Sequence, residues 1–324
     1  MNIKCYRGFE IRVLNLANRT LVYLIIVSLK KSQKLEKLIF KKNGSIEKFI
    51  EWIERFKGDI SKDSLIVEVD HVSQLFISKT YSTDKSLVRY SQISFADANL
   101  DVEMISDALK QSGRRVFIGI FVILPKFIEV LKTFATSDTF TMEIDCMEQI
   151  VAEKEEICTV SVKFKSKTLT MQIPGSSLNA TEMIPMTDEV FRERVWVASD
   201  PVSVNLSGDL LKNLVSISDI FTSNEKLKNY MEFYTSENED GKKILKVREP
   251  QNLSYDYELG ELTEGSVLKE DFSISIYRDR FLLAVKNAFS DTELTISSSN
   301  PNRVLIKLGN GDTKTIIARV KKDF

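Results

Sequence analysis

One order of elements occurs four times along the 324 residues, and it constrains the fold more than any single motif. The last copy is the clearest. Phe272–Tyr277 (FSISIY) alternates apolar and polar side chains, the period of a strand with one buried face. Arg278–Phe289 then carries apolar residues at 281, 282, 285, 288 and 289, which line one side of a helix. Asp291–Ile296 alternates again. Val304–Leu308 and Thr315–Val320 are two further strands, joined through Gly309-Asn-Gly-Asp312, a hairpin turn signal. The unit therefore reads strand, helix, three strands.

The same order is found upstream. Leu35–Lys41 is a strand and Ser45–Phe56 a helix, followed by Ser64–Asp70, Leu75–Tyr81 and Leu87–Phe95. Val116–Phe121 is a strand and Leu124–Phe134 a helix with Pro125 near its start, where proline is tolerated. Asp138–Asp145 follows, and Cys158–Phe164 pairs with Thr168–Ile173 across Lys165-Ser-Lys167. Val202–Leu206 leads into the helix Ser207–Phe221, with Ser207 suited to its N-cap. Tyr230–Thr235, Lys243–Val247 and Ser254–Leu259 complete that unit, which also holds an insert at Asn224–Asn229. The opening strands begin near residues 35, 116, 202 and 272, at gaps of 81, 86 and 70 residues. Ser176–Asp200, with Pro185 and several charges, reads as a connector between two pairs of units. The expected division is a first domain over 1–175, a connector over 176–199 and a second domain over 200–324. Residues 1–34 lie outside the repeat and read as an added strand or extension.

Composition narrows the chemistry. The chain has one histidine, His71, and three cysteines, Cys5, Cys146 and Cys158, so it offers no cluster of the kind a structural zinc needs. A Ser-His or Cys-His enzyme would have to use His71, which reads as an ordinary strand-end histidine after Leu65–Val72. No Gly-x4-Gly-Lys-Ser/Thr loop is present. These absences point away from an enzyme and call for no cofactor and no metal. Three widely spaced cysteines make no disulfide framework, which points to a reducing intracellular compartment. The longest apolar run, Leu21–Val27, is far shorter than a membrane span and reads as a buried strand. Lys+Arg 45 against Asp+Glu 46 excludes a strongly basic tail but allows a basic patch.

Four strand–helix–three-strand units in two domains resemble the DNA sliding clamps. The likeness is greatest to the two-domain proliferating-cell nuclear antigen family and the phage processivity factors. The C-terminal stretch, with Arg280-Phe281-Leu282 on its helix, the strand Asp291–Ile296 and the final hairpin, is also similar to the end of a bacterial clamp subunit. The match covers residues 35–321 and is one of pattern more than of fixed motif. The resemblance implies an α+β clamp fold with helices on one face of antiparallel sheets. It implies six domains in a closed ring, hence a homotrimer of two-domain chains, joined head to tail. It further implies double-stranded DNA held without sequence preference, a tethered DNA polymerase and a separate clamp loader.

That reading makes a demand on the helices: one face buried, the other turned to DNA. At 100° per residue, Ile46, Phe49, Ile50, Ile53 and Phe56 share one side of the first helix, with Lys48 and Arg55 opposite. Leu124, Phe127, Ile128 and Leu131 share a side of the second; Lys126 is opposite and Lys132 flanks. The third places Leu210, Leu214, Ile217 and Phe221 inside and Lys212 outside, and the fourth Phe281, Val285 and Ala288 inside and Lys286 outside. Lys48, Arg55, Lys126, Lys132, Lys212 and Lys286 are thus the expected phosphate contacts, although Glu51, Glu129, Asp219 and Asp279 share their faces. The resemblance also implies an apolar partner pocket beside the connector and tail, where this chain offers Met183, Ile184, Met186, Val320 and Phe324. Two other readings stay open on the residues alone: a monomeric processivity factor, and a β-rich oligomeric structural protein that does not touch DNA.

Overall fold

Strand pairing in the computed structural model follows the repeat, but with an exchange between units. The structure describes residues 3–6, 9–12, 25–28, 35–56, 65–81, 87–120, 124–151, 154–175, 200–220, 230–249, 255–267, 272–286, 292–297, 305–309 and 313–318. At the N-terminus β1 (Ile3–Tyr6), β2 (Phe9–Arg12) and β3 (Ile25–Ser28) form a separate antiparallel sheet. The first unit contains β4 (Glu36–Lys42), α1 (Glu47–Glu54), β5 (Leu65–Asp70), β6 (Leu75–Tyr81) and β7 (Leu87–Ser94). After β8 (Leu100–Ile105) and α2 (Asp107–Ser112), the second contains β9 (Val116–Ile120), α3 (Leu124–Ala135), β10 (Thr141–Val151), β11 (Lys154–Lys165) and β12 (Thr170–Pro174). The third contains β13 (Pro201–Leu206), α4 (Gly208–Ile220), β14 (Tyr230–Glu237), β15 (Lys243–Arg248) and β16 (Asp256–Glu261). The fourth contains β17 (Ser273–Tyr277), α5 (Arg278–Lys286), β18 (Thr292–Ser297), β19 (Leu305–Gly309) and β20 (Thr313–Ala318).

Each opening strand leaves its own unit and pairs with the second strand of its sister. β4 lies antiparallel to β10, with Leu38 opposite Ile144, and β9 to β5, with Ile118 opposite Val67. The later pair repeats this: β13 joins β18 (Val204 opposite Leu294) and β17 joins β14 (Ile274 opposite Phe233). The apolar members of these ladders face the helices and close two cores. One gathers buried residues from Leu38 to Phe164, the other from Val202 to Ile317. Helix α1 contributes Phe49, Ile50, Trp52 and Ile53 to the first and packs beside α3, which contributes Phe127, Ile128, Val130, Leu131 and Phe134. Phe40, Phe49, Phe76 and Phe95 interlock with ring centroids 4.7–5.2 Å apart, each pair worth about 0.5–1.5 kcal/mol beyond simple burial. In the second core, α4 and α5 pack together and Phe281 meets Phe233 edge-on at 5.2 Å.

The two cores share one sheet. β20 pairs antiparallel with β7, Thr315 opposite Arg89, so the ladder runs unbroken from β13 through β20 and β7 to β9. The final strands of the other two units have no such partner among the described residues: β12 pairs only with β11 and β16 only with β15. A bulge interrupts β10 and β11, where Asp145 faces Ser161 but Cys146 faces Thr159, leaving Val160 unpaired.

Several expectations are corrected. The strand β8 and helix α2 were not foreseen; β8 covers the outer edge of β4 with only Leu100 fully buried, too little to leave a clear alternation. β10 and β11 each extend beyond the expected ends, because the added stretch carries polar residues and an exposed Ile150 (68%). The turn between β11 and β12 spans 166–169, with Lys165 opposite Thr170, rather than Lys165–Lys167. Helix α4 buries Leu211 and Leu214, while Leu210 and Ile217 are only half-buried, so its inner face is rotated from the expected stripe. The Ser207 cap is present, its hydroxyl accepting the Leu210 N–H at 3.2 Å. In α5 the inner residues are Phe281, Ala284 and Val285; Ala288 and Phe221 lie outside the described residues.

Candidate nucleic-acid interface

The helices turn one side to the sheets, so their other side is the place to look for DNA contacts. Lys48 projects from α1, 70% exposed, with its ammonium 3.8 Å from the equally open Asp97. Lys126 is exposed on α3. Lys132 is exposed too, but its ammonium is 2.7 Å from the Glu54 carboxylate of α1, so it ties the two helices together. Lys212 is 79% exposed on α4 and meets Asp209 one turn earlier at 3.2 Å. Such open pairs are worth little and yield readily to a phosphate. Arg55 differs from the expectation. It caps the C-terminus of α1, half-buried, and its carbonyl accepts a hydrogen bond from the Arg89 guanidinium. Angular counting does not reveal that it stands at the helix end against β7. Lys286 ends α5, with its side chain outside the described residues.

The exposed helix faces are electrically mixed. Lys48, Lys126, Lys132 and Lys212 stand among Glu47, Glu51, Glu129, Asp209 and Asp279, all exposed. Of the expected partner pocket, Met183, Ile184, Met186, Val320 and Phe324 all lie outside the described residues. His71 sits in the turn between β5 and β6, next to Asp70. Among the described residues, no three His, Cys, Asp or Glu side chains come together as a metal site, and no helix is long and apolar enough to cross a membrane.

The residues that sequence reasoning missed lie where the two cores meet. Arg89 is 1% exposed on β7 and points to the helix side. Its Nε donates to the Thr315 hydroxyl of β20 at 3.2 Å, one terminal nitrogen to the Arg55 carbonyl, and the other toward the Leu283 carbonyl of α5 at 3.4 Å. Two residues along, Ser91 accepts the Trp52 indole N–H at 2.9 Å, fixing α1 to the same strand. One guanidinium on β7 therefore ties the end of α1 in the first half to a strand and a helix of the second.

Elsewhere, polar networks brace the sheets. Arg115 bonds Glu68 at 2.9 Å and Asp70 at 3.2 Å. Burial works to raise the Asp70 pKa, but the Ser73 backbone N–H, Arg115 and the Ser73 hydroxyl outweigh it and hold the carboxyl below its ordinary value. On β14–β16, Arg248 lies 4.5 Å from the Tyr234 ring centroid and bonds Glu232 at 2.8 Å, while the Tyr234 hydroxyl donates to Asp256.

Comparison with solved structures places this architecture among the DNA clamps. The chain resembles A. fulgidus PCNA, solved with the C-terminal region of FEN-1, at TM-score 0.53 and 13% identity, over 89% of this chain and 100% of that one. It resembles the DNA polymerase III subunit beta of Pseudomonas aeruginosa at TM-score 0.57 and 13% identity, over 98% of this chain and 76% of that one. A Helicobacter pylori beta clamp bound to a DNA ligase peptide gives 0.52 and 9%, over 98% and 76%. No protein-family model matches the chain, and no curated protein sequence does. The fold is the DNA-clamp fold, α+β and strand-rich, its strand pairs antiparallel among the described residues except for the short parallel pairing of β9 with β11.

Proposed function

We propose that this chain is a DNA sliding clamp: a processivity factor that encircles duplex DNA as a homotrimer and tethers a replicative polymerase. The observation that carries the reading is the junction of β20 with β7. There the last strand of the fourth unit pairs with the last strand of the first. Among the described residues the last strands of the second and third units, β12 and β16, each pair with a single strand, and Thr170, Met171 and Gln172 are exposed along β12. Repeating the same strand-to-strand join between copies extends the sheet from chain to chain, head to tail, and growth stops when the rotation closes. Three copies of a chain with clamp domains over 1–175 and 200–324 supply six domains.

In this reading the ring makes and breaks no covalent bond and is not an enzyme. Lys48, Lys126, Lys212 and Lys286 touch phosphate from inside the ring, with Lys132 tying α3 to α1 behind them and Arg55 at the end of α1. A separate loader opens the ring. Met183, Ile184, Met186, Val320 and Phe324 receive a short apolar peptide of the polymerase; the FEN-1 and DNA ligase peptides on the similar clamps support this kind of partner.

Sedimentation at micromolar concentration tests the ring: a species three times 37.0 kDa is expected, and a stable dimer at every concentration overturns it. The same preparation, loaded on circular plasmid, should be released when the plasmid is cut. Retention on linear DNA by a monomer would instead show a factor that grips one side of the duplex.

A further inference from the structure

We infer that Arg89 is the positioning residue that sets the angle between the two halves of the chain, and so makes the junction within a chain the rigid one in the ring. The geometry rests on one side chain. Arg89 is 1% exposed, and its guanidinium bonds Thr315 on β20, the Arg55 carbonyl at the end of α1 and, at 3.4 Å, the Leu283 carbonyl of α5. A ladder of five residue pairs between β7 and β20 can twist and hinge about its own length. Bonds from one planar group to a strand and to helix carbonyls on both sides remove that freedom, because the guanidinium presents its donors in a fixed fork. The two carbonyls lie in or at the end of helices, where a cation is favoured at the C-terminal turn. Trp52, bonded to Ser91 at 2.9 Å, holds α1 to the same strand and keeps the Arg55 carbonyl in reach.

β12 (Thr170–Pro174) and β16 (Asp256–Glu261), each with a single strand partner among the described residues, contain no arginine. If copies join there, as the proposed ring requires, the joins between chains lack this staple and are the ones that yield to a loader. This consequence rests on the ring; the role of Arg89 does not, because the angle between halves is a property of a single chain.

The test measures that angle directly. Spin labels at Lys110→Cys on α2 and Asp240→Cys in the turn before β15, both exposed, report the separation of the halves by pulsed electron resonance. Cys5→Ser removes a competing thiol, and Cys146 and Cys158 are buried. The wild-type arginine should give one narrow distance. Arg89→Met should give a broad or displaced distribution while the amides of both cores remain protected from exchange. Arg89→Lys, which keeps the charge but loses the fork, should fall between them. A distribution in Arg89→Met as narrow as wild type, at the same distance, overturns the assignment. Should Arg89→Met fail to fold, Thr315→Val removes one acceptor and keeps the shape; broadening there supports the role and a wild-type distance refutes it. In the proposed ring, a broadened angle in Arg89→Met should also lower the fraction of closed trimer. A wild-type chain that is narrow in distance but never trimeric would sink the ring and leave Arg89 standing.

Discussion

Replacing Gly175 by alanine should damage the open edge of the second unit from a single methyl group. Gly175 follows β12 and donates its N–H to the carbonyl of Val160, the bulged residue of β11, at 2.7 Å. A Cβ built there would lie 2.1 Å from the Thr159 carbonyl oxygen, 2.7 Å from its carbon and 3.0 Å from the Val160 carbonyl carbon. Ordinary carbon–oxygen contact is about 3.3 Å, so something must move by about 1 Å. The obstructing atoms are all backbone, in a strand held on both sides, and no side-chain rotation relieves them. Overpacking of this kind costs about 1–3 kcal/mol, and loss of the Gly175–Val160 hydrogen bond adds about 1 kcal/mol. The expected loss is therefore about 2–4 kcal/mol if β12 stays in place, or less if β12 peels away. Urea denaturation measures the first, and hydrogen exchange at residues 171–175 the second. Gly113→Ala is the control: Gly113 has φ +60° and nothing within 4 Å of its would-be Cβ, so only the left-handed backbone is penalised, at about 1–2 kcal/mol. In the proposed ring, Gly175→Ala should also weaken the trimer, and Gly113→Ala should not. Gly175→Ala with wild-type stability, unchanged exchange at β12 and an intact trimer would refute the reasoning.

Reversing Lys48, Lys126 and Lys212 to glutamate should change folding stability by about 0.5 kcal/mol or less per site, since all three are exposed. It should flatten the slope of log DNA affinity against log salt by about 0.9 for each phosphate no longer neutralised, equally on any DNA sequence; an unchanged slope would take DNA off these helices. Burial first, then the charges of Glu36 and Asp145, push the Cys146 thiol up to about 12, and burial with Glu156 does the same to Cys158. Iodoacetamide at pH 8 should therefore spare both in the native protein and label both in urea, as mass spectrometry will show. The folded Asp70 carboxyl titrates below its unfolded value, so it contributes stability that is complete above about pH 4 and lost as pH falls through the folded value. Asp70→Asn should remove that part of the acid dependence of the urea midpoint; an identical acid branch in both proteins would count against it.

Strands and helices were legible because their apolar periods are strong and occur four times. The inner face of α4 was not, since Leu210 and Leu211 are adjacent and either can head a stripe through Leu214; a shift of one residue turns the helix by 100°. Arg55 was not legible as the end of α1. Most hidden was β7. Its sequence, LVRYSQIS, puts Leu, Arg, Ser and Ile on one face and Val, Tyr, Gln and Ser on the other, so neither row declares itself the core. The buried row is the one with the arginine, because its acceptors come from Leu283 and Thr315, 194 and 226 residues away. No local pattern carries such a partner. The cations of the helix faces were found by spacing, but their pairing with Asp97, Glu54 and Asp209 depends on which elements lie side by side.

The exchange of strands between units has a consequence for the growing chain. β4 waits for β10, with Lys41 opposite Thr141, so the sheet over the first core is not complete until about a hundred further residues have left the ribosome. At 5–20 residues per second that is about 5–20 s. The edge of β7 waits longer, because Thr315 is 226 residues beyond Arg89, about 10–45 s of synthesis. During that interval a five-residue strand edge stands open beside a finished core, the kind of edge on which neighbouring nascent chains pair wrongly. A guanidinium projecting from its face discourages that pairing until the proper strand arrives. Chains truncated before β19 should accordingly scatter more light when Arg89 is valine than when it is arginine. The group that joins the halves once β20 is made would then also guard the join while it is still empty.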